Sequence, residues 1–276
     1  MTAIDPERAR AVRLLVSDVD GTLVTADKRL TPATIEAVRR LGEAGIGFSL
    51  VSSRPAFGMR AVVNALGLTL PFGAFNGGAI VGPRFETLSA HLLPTTAAEE
   101  AVRSLEGAGI PAWVFTGETW LVTDPRAELI PRERRTIGTE PTLVVAFGDA
   151  LAQAGKIVGA TNDLDRLDAV ETALRSAIGG TATVARSQPY YLDVTPAGVD
   201  KGTFLLDLAA RLHVRATAVA AIGDMDNDVA MLRAAGLPIA MGNGSPAAKA
   251  AAAYVTATNE ADGFAGAVDA LLSARA

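Results

Sequence analysis

Residues 14–22 read LLVSDVDGT, Leu14 to Thr22. A short apolar run feeds two aspartates one residue apart, then a Gly-Thr turn. Alternate side chains of an extended chain share a face, so Asp18 and Asp20 lie on one side with Val19 turned away. Two carboxylates held together at the end of a buried strand repel each other. They are stable with a cation between them, a proton on one of them, or both. Such an ending is costly for a strand unless chemistry is done there. The alternative is a solvated acidic turn that caps a helix.

Outward from this stretch, residues 14–82 alternate strands and helices. Thr31-Pro32 opens a helix, with Thr31 as N-cap and Pro32 at its first position. Ile35, Val38 and Leu41 line its expected buried face, and Gly45 stops it. A strand over Gly47–Val51, the turn Ser52-Ser53-Arg54-Pro55, a helix through Leu66 and a short strand over Phe72–Phe75 follow. The same grammar returns after Gln188. A helix over Thr203–Leu212 and a strand over Ala218–Ile222 lead into GDMDND. A helix over Val229–Ala235, a strand over Pro238–Met241 and a last strand at Tyr254-Val255 complete it. This spacing predicts a parallel sheet with right-handed crossovers.

Residues 83–187 read differently. A helix near Thr96–Leu105 precedes PAWVFTGETWLVT, which has the pattern of a hairpin turning at Thr116-Gly117-Glu118. A less regular stretch carries Arg126, Arg132, Arg134 and Arg135. A strand over Lys156–Ala160, a helix over Leu164–Ala177 and a strand over Thr181–Arg186 follow. This is an α+β module inserted into a parallel-sheet domain, giving a core over 1–82, a cap over 83–187 and a returning core over 188–276. Ligands of open α/β sheets sit outside the carboxyl ends of the strands. The aspartate pair, the Ser-Ser-Arg turn and GDMDND all fall at such ends, so they are expected to converge.

The 276 residues are 49% hydrophobic and 20% charged with a net charge of −5. That composition fits a globular protein with a substantial core. The absence of a basic block argues against nucleic acid as a partner. The chain has no cysteine, which excludes disulfides, thiolate nucleophiles and Cys-zinc sites. His91 and His213 are its only histidines, too few for a multi-His metal centre, and both read as structural or exposed. Any metal must therefore sit among oxygens, which favours magnesium, calcium or manganese. No apolar run approaches the ~20 residues of a membrane span. The start, MTAIDPERARAVR, lacks a signal-peptide core. The expectation is a cytoplasmic enzyme without membrane partners, a monomer or weak homodimer.

Asp18 has the chemistry of a nucleophile, because carboxylates form aspartyl-phosphates. Asp20 can serve as general acid and base. The amides of the Gly21-Thr22 turn can bind an anion. Asp224, Asp226 and Asp228 alternate across GDMDND. A calcium loop would need Gly where Val229 stands and Glu where Ala235 stands. Asp224 and Asp228 suit a magnesium site that retains waters, whereas Asp226 reads as solvent-facing or N-capping. Ser52 and Ser53 offer a hydroxyl and free amides at a helix entrance, enough to hold a phosphate; a plain turn is the alternative. Lys201 in GVDKGT reads, alone, as a surface lysine before a helix, and Asn76-Gly77-Gly78 as a tight turn.

In combination, DVDGT, VSSRP, GVDKG and GDMDNDVAML in this order resemble the haloacid dehalogenase superfamily of phosphohydrolases. NGGAI at 76–80, AMGN at 240–243 and YVTATNEADG at 254–263 are similar to its Cof-type subgroup, whose type IIB cap is inserted after the third core strand. The resemblance implies an α/β fold, with a Rossmann-like parallel-sheet core and an inserted α+β cap. It also implies roles. Asp18 attacks phosphorus, and Asp20 protonates the leaving alcohol and then deprotonates the hydrolytic water. Ser52, the Ser53 amide and Arg54 belong to the phosphate-binding turn. Lys201 neutralises phosphate and keeps Asp18 ionised. Mg2+ is held by Asp18, the Asp20 carbonyl and Asp224, with Asp228 supporting the metal shell or Lys201. Asn227 contacts the phosphate.

The second motif departs from the subgroup. Ser52-Ser53-Arg54 replaces its usual Thr-Gly-Arg, so Ser53 adds a side chain beside the phosphate. Gly244 stands where Ala is usual, a change expected to be silent. The partner implied is a small phosphorylated metabolite. Asp20 is absent from the superfamily's ATPases and dehalogenases, so its presence favours a phosphatase, here of sugar phosphates. A hexose phosphomutase is the alternative, with the cap arginines as a second phosphate site or simply a solvated helix face. A non-catalytic binding protein is disfavoured by the complete set of acids and Lys201.

Overall fold

Leu14, Leu15, Val16 and Ser17 are all buried. A run buried on both faces belongs in the interior of a parallel sheet. The computed structural model of the protein, which describes residues 3–276, places it there. The strands before the cap are β1 (Leu14–Ser17), β2 (Gly47–Leu50), β3 (Phe72–Ala74), β4 (Ala79–Val81) and β5 (Thr87–Ala90). Those of the cap are β6 (Ala112–Phe115), β7 (Trp120–Val122), β8 (Thr142–Leu143), β9 (Lys156–Ala160), β10 (Ala182–Gln188) and β11 (Tyr191–Pro196). The chain returns through β12 (Val219–Gly223), β13 (Leu237–Ala240) and β14 (Tyr254–Val255). The core sheet runs β14-β13-β12-β1-β2, every pair parallel.

Helices α1 (Pro6–Ala11), α2 (Pro32–Glu43) and α3 (Arg60–Ala65) precede the cap, and α4 (Thr95–Gly107), α5 (Ile130–Ile137) and α6 (Leu164–Ile178) lie in it. Helices α7 (Lys201–Arg211), α8 (Val229–Ala234), α9 (Pro246–Ala251) and α10 (Gly263–Arg275) follow. Thr31 caps α2 as its sequence predicts, accepting from the Thr34 amide at 3.1 Å. The buried face of α2 is Thr34, Ala37 and Leu41 with Val38 half-buried against the core, so of the expected stripe Ile35 alone is exposed. Helix α7 starts two residues earlier than expected. Asp200 caps it by accepting from the Thr203 amide at 2.7 Å, which makes Lys201 its first residue.

The cap sheet runs β10-β11-β9-β6-β7-β8. Strand β11 lies beyond the expected return to the core at residue 188, yet it pairs antiparallel with both β10 and β9. The cap sheet therefore extends to Pro196. On the way in, β5 still pairs with β4 in a small β3-β4-β5 sheet, so the chain enters the cap after Ala90 instead of after residue 82. The Val51–Gly73 bridge ties that small sheet to the end of β2. Among the described residues no helix is long and apolar enough to cross a membrane.

Candidate active site

Parallel packing of β1 against β12 puts their carboxyl ends side by side, with Ser17 opposite Ile222. Asp18 and Asp224 therefore leave adjacent strands at the same level. Helix α7 brings Lys201 to them, and the turn before α8 brings Asp228. One carboxylate oxygen from each of Asp18, Asp224 and Asp228 lies within 4.8 Å of the others. Lys201 donates to Asp18 Oδ1 at 2.5 Å and to Asp228 Oδ1 at 2.7 Å. It is 1% exposed, the opposite of a surface lysine. The second Asp228 oxygen accepts from the Asp224 and Met225 amides, both at 2.9 Å. Thr22 donates to Asp224 Oδ1 at 3.0 Å.

Three carboxylates face one ammonium in a buried space. Burial pushes the Asp18 carboxyl well above its usual range; Asp228 and Asp224 add to the push and Lys201 opposes it. Burial, then Asp228, holds Asp224 up at about 6 against Lys201 and Thr22. Burial would lower the Lys201 ammonium, but Asp18 and Asp228 outweigh it and hold it above the usual lysine range. An all-oxygen donor set with surplus negative charge suits a hard divalent cation.

Asp20 faces elsewhere. Arg54 grips it through Nε to Oδ2 and Nη2 to Oδ1, both 2.6 Å, and Lys28 donates to Oδ1 at 2.6 Å. Burial would raise its carboxyl, but Arg54 and then Lys28 hold it at about 2. Arg54 is thus spent on Asp20 and on the Gly58 carbonyl at 3.2 Å. The Ser52 hydroxyl is buried and accepts from the Arg54 amide at 3.2 Å. Ser53 has no positive φ, so the backbone does not demand the family's glycine there. Asn227 donates to Asn76 Oδ1 at 3.1 Å. Asp226 is exposed and accepts from Ser245, as a solvent-facing acid should.

Near these groups, Lys28 and Asn243 were given no role by the sequence, and Asn76 read only as part of a tight turn and a subgroup motif. Lys28 sits on Asp20. Asn76, within a turn of three positive-φ residues, donates its amide to Ser52 O at 2.8 Å. Asn243 donates to Gly21 O at 2.9 Å and to Asp224 Oδ2 at 3.4 Å. The AMGN motif was the available signal for Asn243. Gly244 is also not a free position: a Cβ there would lie 2.8 Å from Met241 O and 3.1 Å from Asp224 O.

Between core and cap lies a cleft of about 470 Å³. Asp20, Lys28, Ser53 and Arg54 line its core side, and Arg132, Glu133, Arg135, Lys156, Tyr190 and Tyr191 its cap side. Of the four cap arginines only Arg132 and Arg135 reach it. Arg126 pairs with Asp124 and Arg134 with Glu140.

Residues 15–268 match the model of the haloacid dehalogenase-like hydrolases. The chain is 30% identical to an HMP-PP phosphatase of Klebsiella pneumoniae over 86% of this chain and 87% of the relative. It is 27% identical to the pyridoxal phosphate phosphatase YbhA of Escherichia coli, covering 92% and 96%. The crystal structure of a haloacid dehalogenase-like hydrolase from Bacteroides thetaiotaomicron superposes with a TM-score of 0.86 at 28% identity, over 94% of this chain and 98% of that one. By its sequence, its sheet order and its cap, the chain belongs to the haloacid dehalogenase-like hydrolase family.

Proposed function

We propose that the protein is a magnesium-dependent phosphatase of small phosphorylated metabolites, sugar phosphates among them, working through an aspartyl-phosphate on Asp18. The observation that carries this reading is the buried Asp18–Lys201–Asp228 contact, with Asp20 retained two residues on. The relatives named for phosphatase activity on pyridoxal phosphate and HMP-PP support the reaction class.

An Asp18 carboxylate oxygen attacks phosphorus as the ester P–O bond breaks, and Asp20 gives its proton to the leaving oxygen. Asp20 then takes a proton from water as that water attacks phosphorus, and the bond to Asp18 breaks to release phosphate. Phosphate monoesters are among the slowest substrates to hydrolyse unaided, requiring accelerations of up to ~10²¹. The esters carry a charge of about −1.5 to −2, which a carboxylate cannot approach unscreened. Lys201 supplies one positive charge. Asp18, the Asp20 carbonyl and Asp224 would hold Mg2+, with Asp228 in support, and the ion would supply the rest of the screening. Asp20 becomes an acid only on leaving Arg54 and Lys28.

Purified protein with magnesium should release phosphate from a broad panel of phosphomonoesters and from p-nitrophenyl phosphate; silence on all of them defeats the reading. Asp18→Asn should abolish turnover while leaving the circular dichroism spectrum unchanged, and retained activity would remove Asp18 as nucleophile. One observation favours a hexose phosphomutase as a second reading: Arg132 and Arg135 line the cleft without a carboxylate partner among the described residues. Interconversion of hexose 1- and 6-phosphates faster than phosphate release would decide for it.

A further inference from the structure

The turn Ser52-Ser53-Arg54 presents three consecutive carbonyls, and each has a partner. Ser52 O accepts from the Asn76 amide at 2.8 Å and Arg54 O from the Phe75 amide at 3.0 Å, both donors lying in the core just after β3. Ser53 O accepts from Lys156 Nζ at 3.2 Å, and Lys156 is the first residue of β9, in the cap. One carbonyl of a core turn is thus held by a cap side chain. The backbone beside it is built for this approach. Gly155 lies against the Phe75 ring, where a Cβ would meet Phe75 Cε2 at 2.8 Å, so a larger residue would push the start of β9 off the core. The ammonium sits 5.3 Å from the centre of the Phe115 ring and donates to Asp193 Oδ2 on β11 at 3.3 Å. Lys156 and Asp193 are 5% and 4% exposed. A buried ion pair gains little over apolar packing of the same volume, so stability alone does not account for a lysine here.

The peptide that Lys156 holds has a second end. Ser53 O and the Arg54 amide belong to one planar unit, and that amide donates to Ser52 Oγ at 3.2 Å. Lys156 therefore fixes the group that in turn fixes the Ser52 hydroxyl. A hydroxyl oxygen that accepts in this way leaves its own proton available to donate, which is what a phosphate oxygen needs. Resting on the phosphatase reading above, we propose that Lys156 is a positioning residue: from the cap, it orients the Ser53–Arg54 peptide and through it the Ser52 hydroxyl for phosphate. Its effect falls on the phosphate, and is the same whatever alcohol the ester carries. Misplacing a binding group by about 1 Å can cost ~10²-fold in rate, so a contact remote from phosphorus is enough.

The test is a double-mutant cycle in the full chain with magnesium. Removing Lys156 alone would bare the buried Asp193, so Lys156→Met is combined with Asp193→Asn. Ser52→Ala, and all three changes together, complete the cycle. Circular dichroism and urea unfolding check folding. The readouts are kcat/KM on p-nitrophenyl phosphate and on ribose 5-phosphate, and calorimetric affinity for inorganic phosphate. The Lys156→Met/Asp193→Asn protein should lose about 10- to 100-fold in kcat/KM on both esters alike and bind phosphate about tenfold more weakly. In the Ser52→Ala background the same pair of changes should cost less than about twofold, because the group it acts through is gone. A loss confined to ribose 5-phosphate would place Lys156 on the leaving group and overturn the proposal. A full loss that persists without Ser52 Oγ, or no loss at all, overturns it too, and each leaves the phosphatase reading standing. Should the paired variant fail to fold, Asp193→Asn alone decides, since it keeps the ammonium and loosens it. A loss of about threefold or more, equal on both esters, supports the proposal; a smaller or unequal one overturns it. Wild type that releases phosphate from neither ester defeats the phosphatase reading and this one with it.

Discussion

Replacing Arg54 by methionine isolates the contact that holds Asp20 at rest. The guanidinium is buried and meets both carboxylate oxygens at 2.6 Å. It does most to bring the Asp20 carboxyl from an ordinary 3.8 to about 2, against the upward push of burial and with help from Lys28. At about 1.36 kcal/mol per pH unit this difference is worth about 2–3 kcal/mol. Solvent screening on a side chain that is 23% exposed trims that to about 2 kcal/mol. A depressed carboxyl contributes stability that is present above its unfolded value and lost as pH falls through its folded one. Arg54→Met should therefore unfold about 2 kcal/mol more easily in urea at neutral pH. The gap to wild type should hold level down to about pH 5 and close between about pH 4 and 2. Freed of the guanidinium, Asp20 should also titrate higher, and as the acid of the first step it should move the alkaline limb of the kcat/KM profile upward. A neutral-pH gap under about 0.5 kcal/mol, the range of ordinary surface substitutions, would refute the argument, as would a gap that ignores acid.

Asp224 works in the opposite sense. A carboxyl held up at about 6 loses its stabilising contribution as pH rises from its unfolded value of 3.8 through that point. Protein in EDTA should lose about 2–3 kcal/mol from this group over that range, and millimolar magnesium should restore the urea midpoint at neutral pH. Gly21→Ala should uncouple the cluster: φ is +82° and the new Cβ would fall 2.3 Å from Asp224 Oδ2. Thermal-shift titration should show magnesium affinity weakened about 10- to 100-fold, the usual range when a group that orients a ligand is disturbed.

The convergence of Asp18, Asp224 and Asp228 was legible because strand alternation and strand-end positions are local properties, and parallel pairing turns them into proximity. The pairing of Asp20 with Arg54 was not, because an arginine in a strand-to-helix turn carries no mark of which anion it meets. Lys201 read as exposed, since its burial is made by α7 docking against the core and not by its neighbours in sequence. Helix α5 hid behind its own composition. Its buried positions are Ile130, Glu133 and Ile137, and a carboxylate in the middle of an apolar stripe breaks the pattern that announces a helix. Strand β11 hid behind Pro189, which reads as the end of a module although β10 and β11 form a hairpin around it. Local rules failed in α5 at Glu133, a residue that lines the cleft.

Residues 18 and 20 end as a pair driven apart by their surroundings. Opposed shifts of neighbouring carboxyls are how a site divides acid from nucleophile. Here the division runs backwards at rest: Asp18, the proposed nucleophile, is pushed up, and Asp20, the proposed acid, is held at about 2. Both inversions have a removable cause. Surplus carboxylate around Asp18 is relieved by positive charge arriving at the cluster. On the phosphatase reading, a substrate anion entering the cleft would compete for the guanidinium and relieve the Arg54 clamp on Asp20. On the proposed mechanism, nucleophile and acid are ready together only when the cluster and the cleft are both filled.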